Sequence, residues 1–191
     1  MKKLTTSELC RTALFTALIA AGAFIKIPTP LVPITLQLGF VVLAGMLLGP
    51  RLGTLSVLLY VFLGLAGLPV FAQGGGLSYV FVPSFGYILG FIPGAWVAGH
   101  LAQTVDCSGK ENRTRKLGAL FLAALAGGAV IYAAGIVYLY AIEVWYMGMQ
   151  IQIMSFLTTA LFLPLPGDIV ICGCVAVLTL RLVPALKLVR A

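Results

Sequence analysis

An all-α integral membrane protein, a bundle of six transmembrane helices with an outward-facing ligand pocket, is the fold class this sequence predicts. Three observations predict it. Of the 191 residues, 61% are apolar and 9% charged, against about a quarter charged in water-soluble domains. The mean hydropathy is +1.12. The few charges also separate long uncharged stretches: residues 12–25, 27–50, 52–105, 117–142, 144–167 and 169–180 hold no Asp, Glu, Lys or Arg. Such a composition excludes a cytosolic enzyme and a secreted disulfide scaffold.

Crossing a bilayer core takes about 20 helical residues, and the stretches divide on that measure. The first span covers about 7–25. Pro28, Pro30 and Pro33 in the string PTPLVP delay the next helix to about residue 34, because proline lacks an N–H and clashes inside a helix. That helix ends at the GPRLG turn, Gly49 to Gly53, which makes 34–49 a short span. Stretch 52–105 exceeds one crossing. The string LPVFAQGGGLSYVFVPS breaks it at Pro69, Gly74, Gly75, Gly76 and Pro83, giving spans at 53–67 and 85–104 with a loop between them. Spans at 117–141 and 167–183 complete the six. Residues 151–163 have helical character but are too short to cross, and read as an interfacial or re-entrant piece. The whole chain, 1–191, forms one membrane domain.

Charge sets the orientation. Eleven of the twelve Lys and Arg residues fall on the side of the termini, and only Lys26 falls opposite. Cytoplasmic loops carry the excess of Lys and Arg, so both termini face the cytoplasm of a multi-pass protein. The net charge of +7 reads as this topology signal, with the lipid bilayer and not nucleic acid as the partner. The first apolar run lacks a convincing cleavage site and reads as a span instead of a removed signal.

Little of the chain offers chemistry. The one Gly-Lys pair, Gly109-Lys110, is followed by Glu111 and has no upstream glycine, so no phosphate-binding loop is present. His100 stands alone, and Cys172 and Cys174, two apart, fall on nearly opposite helix faces. No metal site, cofactor site or catalytic set is expected. Asp168 differs. If Arg181 marks the inner interface, Asp168 lies thirteen residues along the helix, about 20 Å deep at 1.5 Å per residue. An ionisable group at that depth is a functional candidate. An N-cap after Pro166-Gly167 is the competing reading, and both stay open at this point. With two breaks in the backbone on the same side as Asp168, the pattern predicts a pocket for a small polar molecule. On the first span Ala13, Ala17 and Ala21 recur every fourth residue, with Gly22 adjoining. Such a strip admits close helix approach, either within the bundle or from a partner.

VPITLQ at 32–37, LAGMLLGPRLGTLSVLLYVFLGLAGLPVFAQGGG at 43–76, PSFGYILGF at 83–91 and LPGD at 165–168 together resemble the BioY family, the biotin-capturing S components of energy-coupling factor transporters. The resemblance runs over nearly the whole chain in the right order. It implies a six-helix protein of the bacterial plasma membrane that binds biotin from outside and delivers it by toppling. Energy would come from a membrane-embedded T component and two ATPase subunits, in keeping with the missing phosphate loop. Ala13, Ala17 and Ala21 match the strip on which the family docks its T component. Asp168 stands where the family's Asp receives the ureido N–H groups of biotin, a task suited to a group that only accepts hydrogen bonds. The loop before the 85–104 span implies ligand contacts from Gln73, Gly74, Gly75 and Tyr87, with Ser84 as a further donor. The VPITLQ loop implies a lid with Thr35 and Gln37, and Tyr79 and Phe85 are candidates against the thiophane ring.

One position departs from the pattern. Many family members carry a Lys three residues after the Asp, and here Ile171 stands there. An S component for a different vitamin therefore remains an alternative. A membrane-embedded enzyme, which needs Asp168, Glu143 and His100 to converge, is another. A pore is disfavoured, since the spans offer few polar residues at helical spacing.

Overall fold

The structure is a computed structural model that describes residues 4–28, 32–107, 112–146, 148, 152 and 156–185. Helix α1 spans Thr6–Phe24. Thr5 caps it: its hydroxyl accepts from the Glu8 N–H, while the Glu8 carboxylate accepts from the Thr5 N–H, a reciprocal pair that satisfies otherwise orphaned donors. After α1 the chain forms a short antiparallel ribbon, β1 (Lys26–Ile27) against β2 (Ile34–Thr35), with Lys26 opposite Thr35.

Helix α2, Gln37–Leu65, consists of two helical arms that meet at Gly49, where φ is 84° and ψ 171°. That left-handed geometry suits a residue without a Cβ, and Pro50 cannot donate the bond that would bridge the break. The two arms fold back on each other. The Gln37 side-chain amide donates to the Tyr60 hydroxyl at 2.7 Å, although 23 helical residues in a straight line would span about 35 Å. A Cβ on Gly53 would lie 2.6 Å from the Gly45 Cα. Five helices among the described residues are thus long and apolar enough to cross a membrane. The expected count of six is off by one on this measure, because 34–49 and 53–67 are the arms of a single element turned at a glycine.

Helix α3 covers Phe85–Gln103, α4 Arg113–Ala141 and α5 Leu165–Ala185. Helix α3 packs between α2 and α4. On one face its Gly90 and Gly94 meet Ile131 and the Gly127 carbonyl of α4, and on another Gly99 meets Gly45 and Pro50 of α2. Helix α5 packs on α4 and α2. Single π-helical turns at Ile142–Tyr146 and Thr158–Phe162 follow α4 and precede α5. Of the stretch 151–163, residues 151 and 153–155 lie outside the described residues, and 156–163 leads by helical turns into α5.

The element order leaves the molecule with two unlike ends. Arg11, Arg51, Arg113, Arg115, Lys116 and Arg181 sit at helix ends on the side of Thr6 and Ala185. Lys2, Lys3, Lys110, Lys187 and Arg190 lie outside the described residues. The opposite end carries the β1–β2 ribbon, the loop 66–84 and the start of α5, with Lys26 as its one basic residue among those described.

Candidate functional site

The loop between α2 and α3 is shaped by glycines and held down by hydrogen bonds. Gly67, Gly74 and Gly76 adopt positive φ, which a side chain would disfavour. Phe71 and Gly74 bond each other's backbone across a tight turn, and the Gly76 N–H donates to the Gly64 carbonyl at 2.7 Å. Phe71 is driven into the core, where it meets Tyr60, Tyr79 and Phe85 edge-on or tilted, at centroid distances of 4.6 to 6.5 Å. Three side chains tie the loop to the bundle: Tyr60 donates to the Val70 carbonyl at 3.2 Å, Tyr138 to that of Val80, and Lys26 to that of Ala72.

Beneath the loop and the ribbon lies an open pocket. Val32, Pro33, Ile34 and Thr35 border it with Ala72, while Ile88, Phe91 and Ile131 form an apolar wall. Tyr79, Ser84, Tyr87, Gln37, Tyr132 and Asp168 supply its polar atoms. Burial pushes the pKa of the Tyr79 hydroxyl above its ordinary value, so it stays a donor at neutral pH. It lies 3.5 Å from the Ser84 hydroxyl.

Asp168 sits in the first turn of α5, and its own N–H donates to the Pro164 carbonyl at 3.1 Å. It is therefore already inside the helix, which begins at Leu165, and the N-cap reading gives way. The carboxylate is 8% exposed. Its Oδ2 accepts from the Tyr132 hydroxyl, whereas Oδ1 is buried with no hydrogen-bond partner. A buried acceptor left unmade costs about 1–3 kcal/mol, and more when charged. Its place at the positive end of the α5 dipole offsets part of that cost. Tyr87 meets Tyr132 edge-on, with ring centroids 5.9 Å apart, and donates to the Ala160 carbonyl at 2.9 Å. Gln37 is held at both ends of its amide, donating to Tyr60 and accepting from the Thr35 hydroxyl at 3.2 Å.

Of the residues expected in the site, Asp168, Tyr87, Ser84, Thr35, Gln37 and Tyr79 line this pocket. Gln73 is exposed, and Gly74 and Gly75 shape the loop instead of lining the pocket, with Gly75 against the Leu68 carbonyl group. Phe85 is buried in the aromatic cluster behind the wall. Ile171 packs on Gly39 of α2 and is not part of the lining. Tyr132 escaped sequence reasoning. Its signal was a phenol in the middle of an otherwise apolar span, since a buried tyrosine hydroxyl needs a partner. Glu143 is buried on the π-helical turn after α4, and His100 is exposed fifteen residues along α3 from Phe85, stacked on Trp96. That distance, about 22 Å of helix, keeps His100 from Asp168. Among the described residues no three His, Cys, Asp or Glu side chains gather to hold a metal.

A profile of the BioY family matches residues 1–188. A probable biotin transporter BioY of Lysinibacillus sphaericus is 48% identical over 146 residues, covering 76% of this chain and 71% of that protein. The biotin transporter BioY of Thermotoga maritima is 47% identical over 131 residues, covering 68% and 72%. A crystal structure of the S-component for biotin from an ECF-type ABC transporter superposes with a TM-score of 0.77 at 27% identity, covering 94% of each chain.

Proposed function

We propose that this chain, which belongs to the BioY family, captures biotin and carries it across the membrane as the S component of an energy-coupling factor transporter. It is a multi-pass membrane protein. The observation that carries the reading is the half-satisfied Asp168 carboxylate in a pocket that sets polar side chains beside an apolar wall. The ureido ring of biotin presents N–H donors beside an apolar thiophane ring. Asp168 Oδ1 accepts a ureido N–H, which fills a buried acceptor the fold leaves open and forms a charge-assisted bond in a place shielded from water. Tyr132 holds the carboxylate in position through Oδ2. Ile88, Phe91 and Ile131 meet the thiophane ring, and Thr35 and Gln37 close over it from the lid side. The Tyr79 and Ser84 hydroxyls donate to the ureido carbonyl in place of the lysine that Ile171 replaces.

Transport needs partners. Ala13, Ala17 and Ala21 are all exposed on α1, a smooth strip on which the helix of a T component can approach closely, and two ATPase subunits supply the energy. The basic end and both termini face the cytoplasm of the bacterial plasma membrane, and the pocket opens outward.

Titration calorimetry of the detergent-purified protein with biotin, and with thiamin, riboflavin and nicotinic acid as controls, tests the reading. Biotin is expected to bind one-to-one and the controls not at all. Asp168→Asn turns one acceptor into a donor and removes the charge, and is expected to weaken biotin about 10- to 100-fold, the range of a lost charge-assisted bond. Heat from another vitamin in place of biotin refutes the ligand, and unchanged biotin affinity in Asp168→Asn refutes the role of the carboxylate.

A further inference from the structure

We infer that Lys26 is the residue that reads the carboxylate tail of the ligand, so that the pocket recognises an anion at its mouth as well as a ureido group in its depth. The inference rests on the biotin reading of the site. Biotin ends in a carboxylate on a flexible four-carbon chain, and this second polar end must lie away from Asp168, because two carboxylates repel each other most where water is excluded. With the ureido ring at Asp168, the tail leads toward the border formed by the ribbon and Ala72.

Lys26 stands at that border. In the β1–β2 ribbon it is paired directly with Thr35, and opposed residues of an antiparallel pair project from the same face. Thr35 lines the pocket, and Lys26, exposed and not itself part of the lining, leaves the ribbon beside it. Its ammonium reaches the Ala72 carbonyl, and Ala72 also lines the pocket. An ammonium carries three N–H donors, and Ala72 accepts one. A ligand carboxylate beside it gains a charge-assisted bond. No other described residue at this end carries a positive charge. Placing the single outer cation at the mouth of a pocket whose depth is anionic matches a ligand that is neutral at one end and negative at the other.

The test separates charge reading from simple lid anchoring by changing the ligand as well as the protein. Calorimetry with biotin and with biotinamide, which keeps the ureido ring and chain but lacks the negative charge, is run on wild type, Lys26→Gln and Lys26→Arg. Lys26→Gln is expected to weaken biotin about tenfold while changing biotinamide by less than about twofold. Lys26→Arg keeps the preference for biotin, and raising salt from 0.05 to 0.5 M erodes it in wild type. Equal losses for both ligands would mean that Lys26 is only a strut for the loop, and no loss for either would remove it from the site. Both results overturn the inference and leave biotin binding standing. A wild-type protein that binds neither ligand overturns the proposed function and the inference together.

Discussion

Two strips of small residues recur every fourth position, one on α1 and one on α3, and they face opposite environments. Ala13, Ala17 and Ala21 are all exposed, while Gly86, Gly90, Gly94 and Ala98 are all buried. On α3 the absence of side chains is what lets the backbones meet: a Cβ on Gly90 would come 2.9 Å from the Ile131 carbonyl oxygen. On α1 the residues that pack inward are Thr12, Phe15, Thr16, Ile19, Gly22 and Ala23, and the face of Ala13, Ala17 and Ala21 is left uncovered. Lipid tails are as apolar as leucine, so burial of apolar surface does not drive helices together in a membrane, and close packing has to. The chain uses one strip to hold its own bundle and keeps a second of the same period unused by its own fold. Period alone does not separate a structural seam from a docking face.

Substitutions at the two strips sharpen this contrast. The largest effect is expected at Gly94→Leu, whose Cβ would lie 3.0 Å from the Gly127 carbonyl and nearer still to Ile131. Overpacking of this kind costs about 1–3 kcal/mol, and here it pushes on backbone that cannot yield. Thermal unfolding in detergent is expected to fall by several degrees or the protein to aggregate on purification, and a wild-type melting curve would show that the α3 seam is loose. Ala17→Trp is expected to leave folding and biotin affinity intact while abolishing co-purification with the T component. Normal assembly would mean that the exposed strip is not the docking face. The smallest effect is expected at Ala13→Leu, since Ala13 is exposed. Stability should stay within about 0.5 kcal/mol of wild type, and a marked loss would place α1 against a surface of its own bundle.

The same logic sorts what could be read from residues alone. Prolines 28, 30 and 33 and the glycines of the loop 66–84 announce where helices cannot run, and the site is built at those breaks. Asp168 stood out because an ionisable group in an apolar run has few innocent explanations. Its partner Tyr132 did not stand out, because tyrosine is common in membrane spans and the hydrogen bond joins residues 36 positions apart. The loop's glycines drew attention as ligand contacts, yet they serve to bend the chain, and the loop reaches the pocket through Ala72 and Tyr79. Phe85 was indistinguishable from a lining aromatic until its ring was seen turned toward Phe71 and Tyr138.

Composition and the spacing of charges settle that this chain is a helical membrane protein, because the cost of placing charge in hydrocarbon is paid residue by residue and needs no knowledge of the neighbours. Where two distant parts of the chain must meet, local energies carry no information. The fold of α2 back upon itself at Gly49, the choice of the α3 strip over the α1 strip as the internal seam, and the meeting of Tyr132 with Asp168 all depend on which surfaces fit at close range. Those are properties of packing among helices, and they exist only once the bundle has formed.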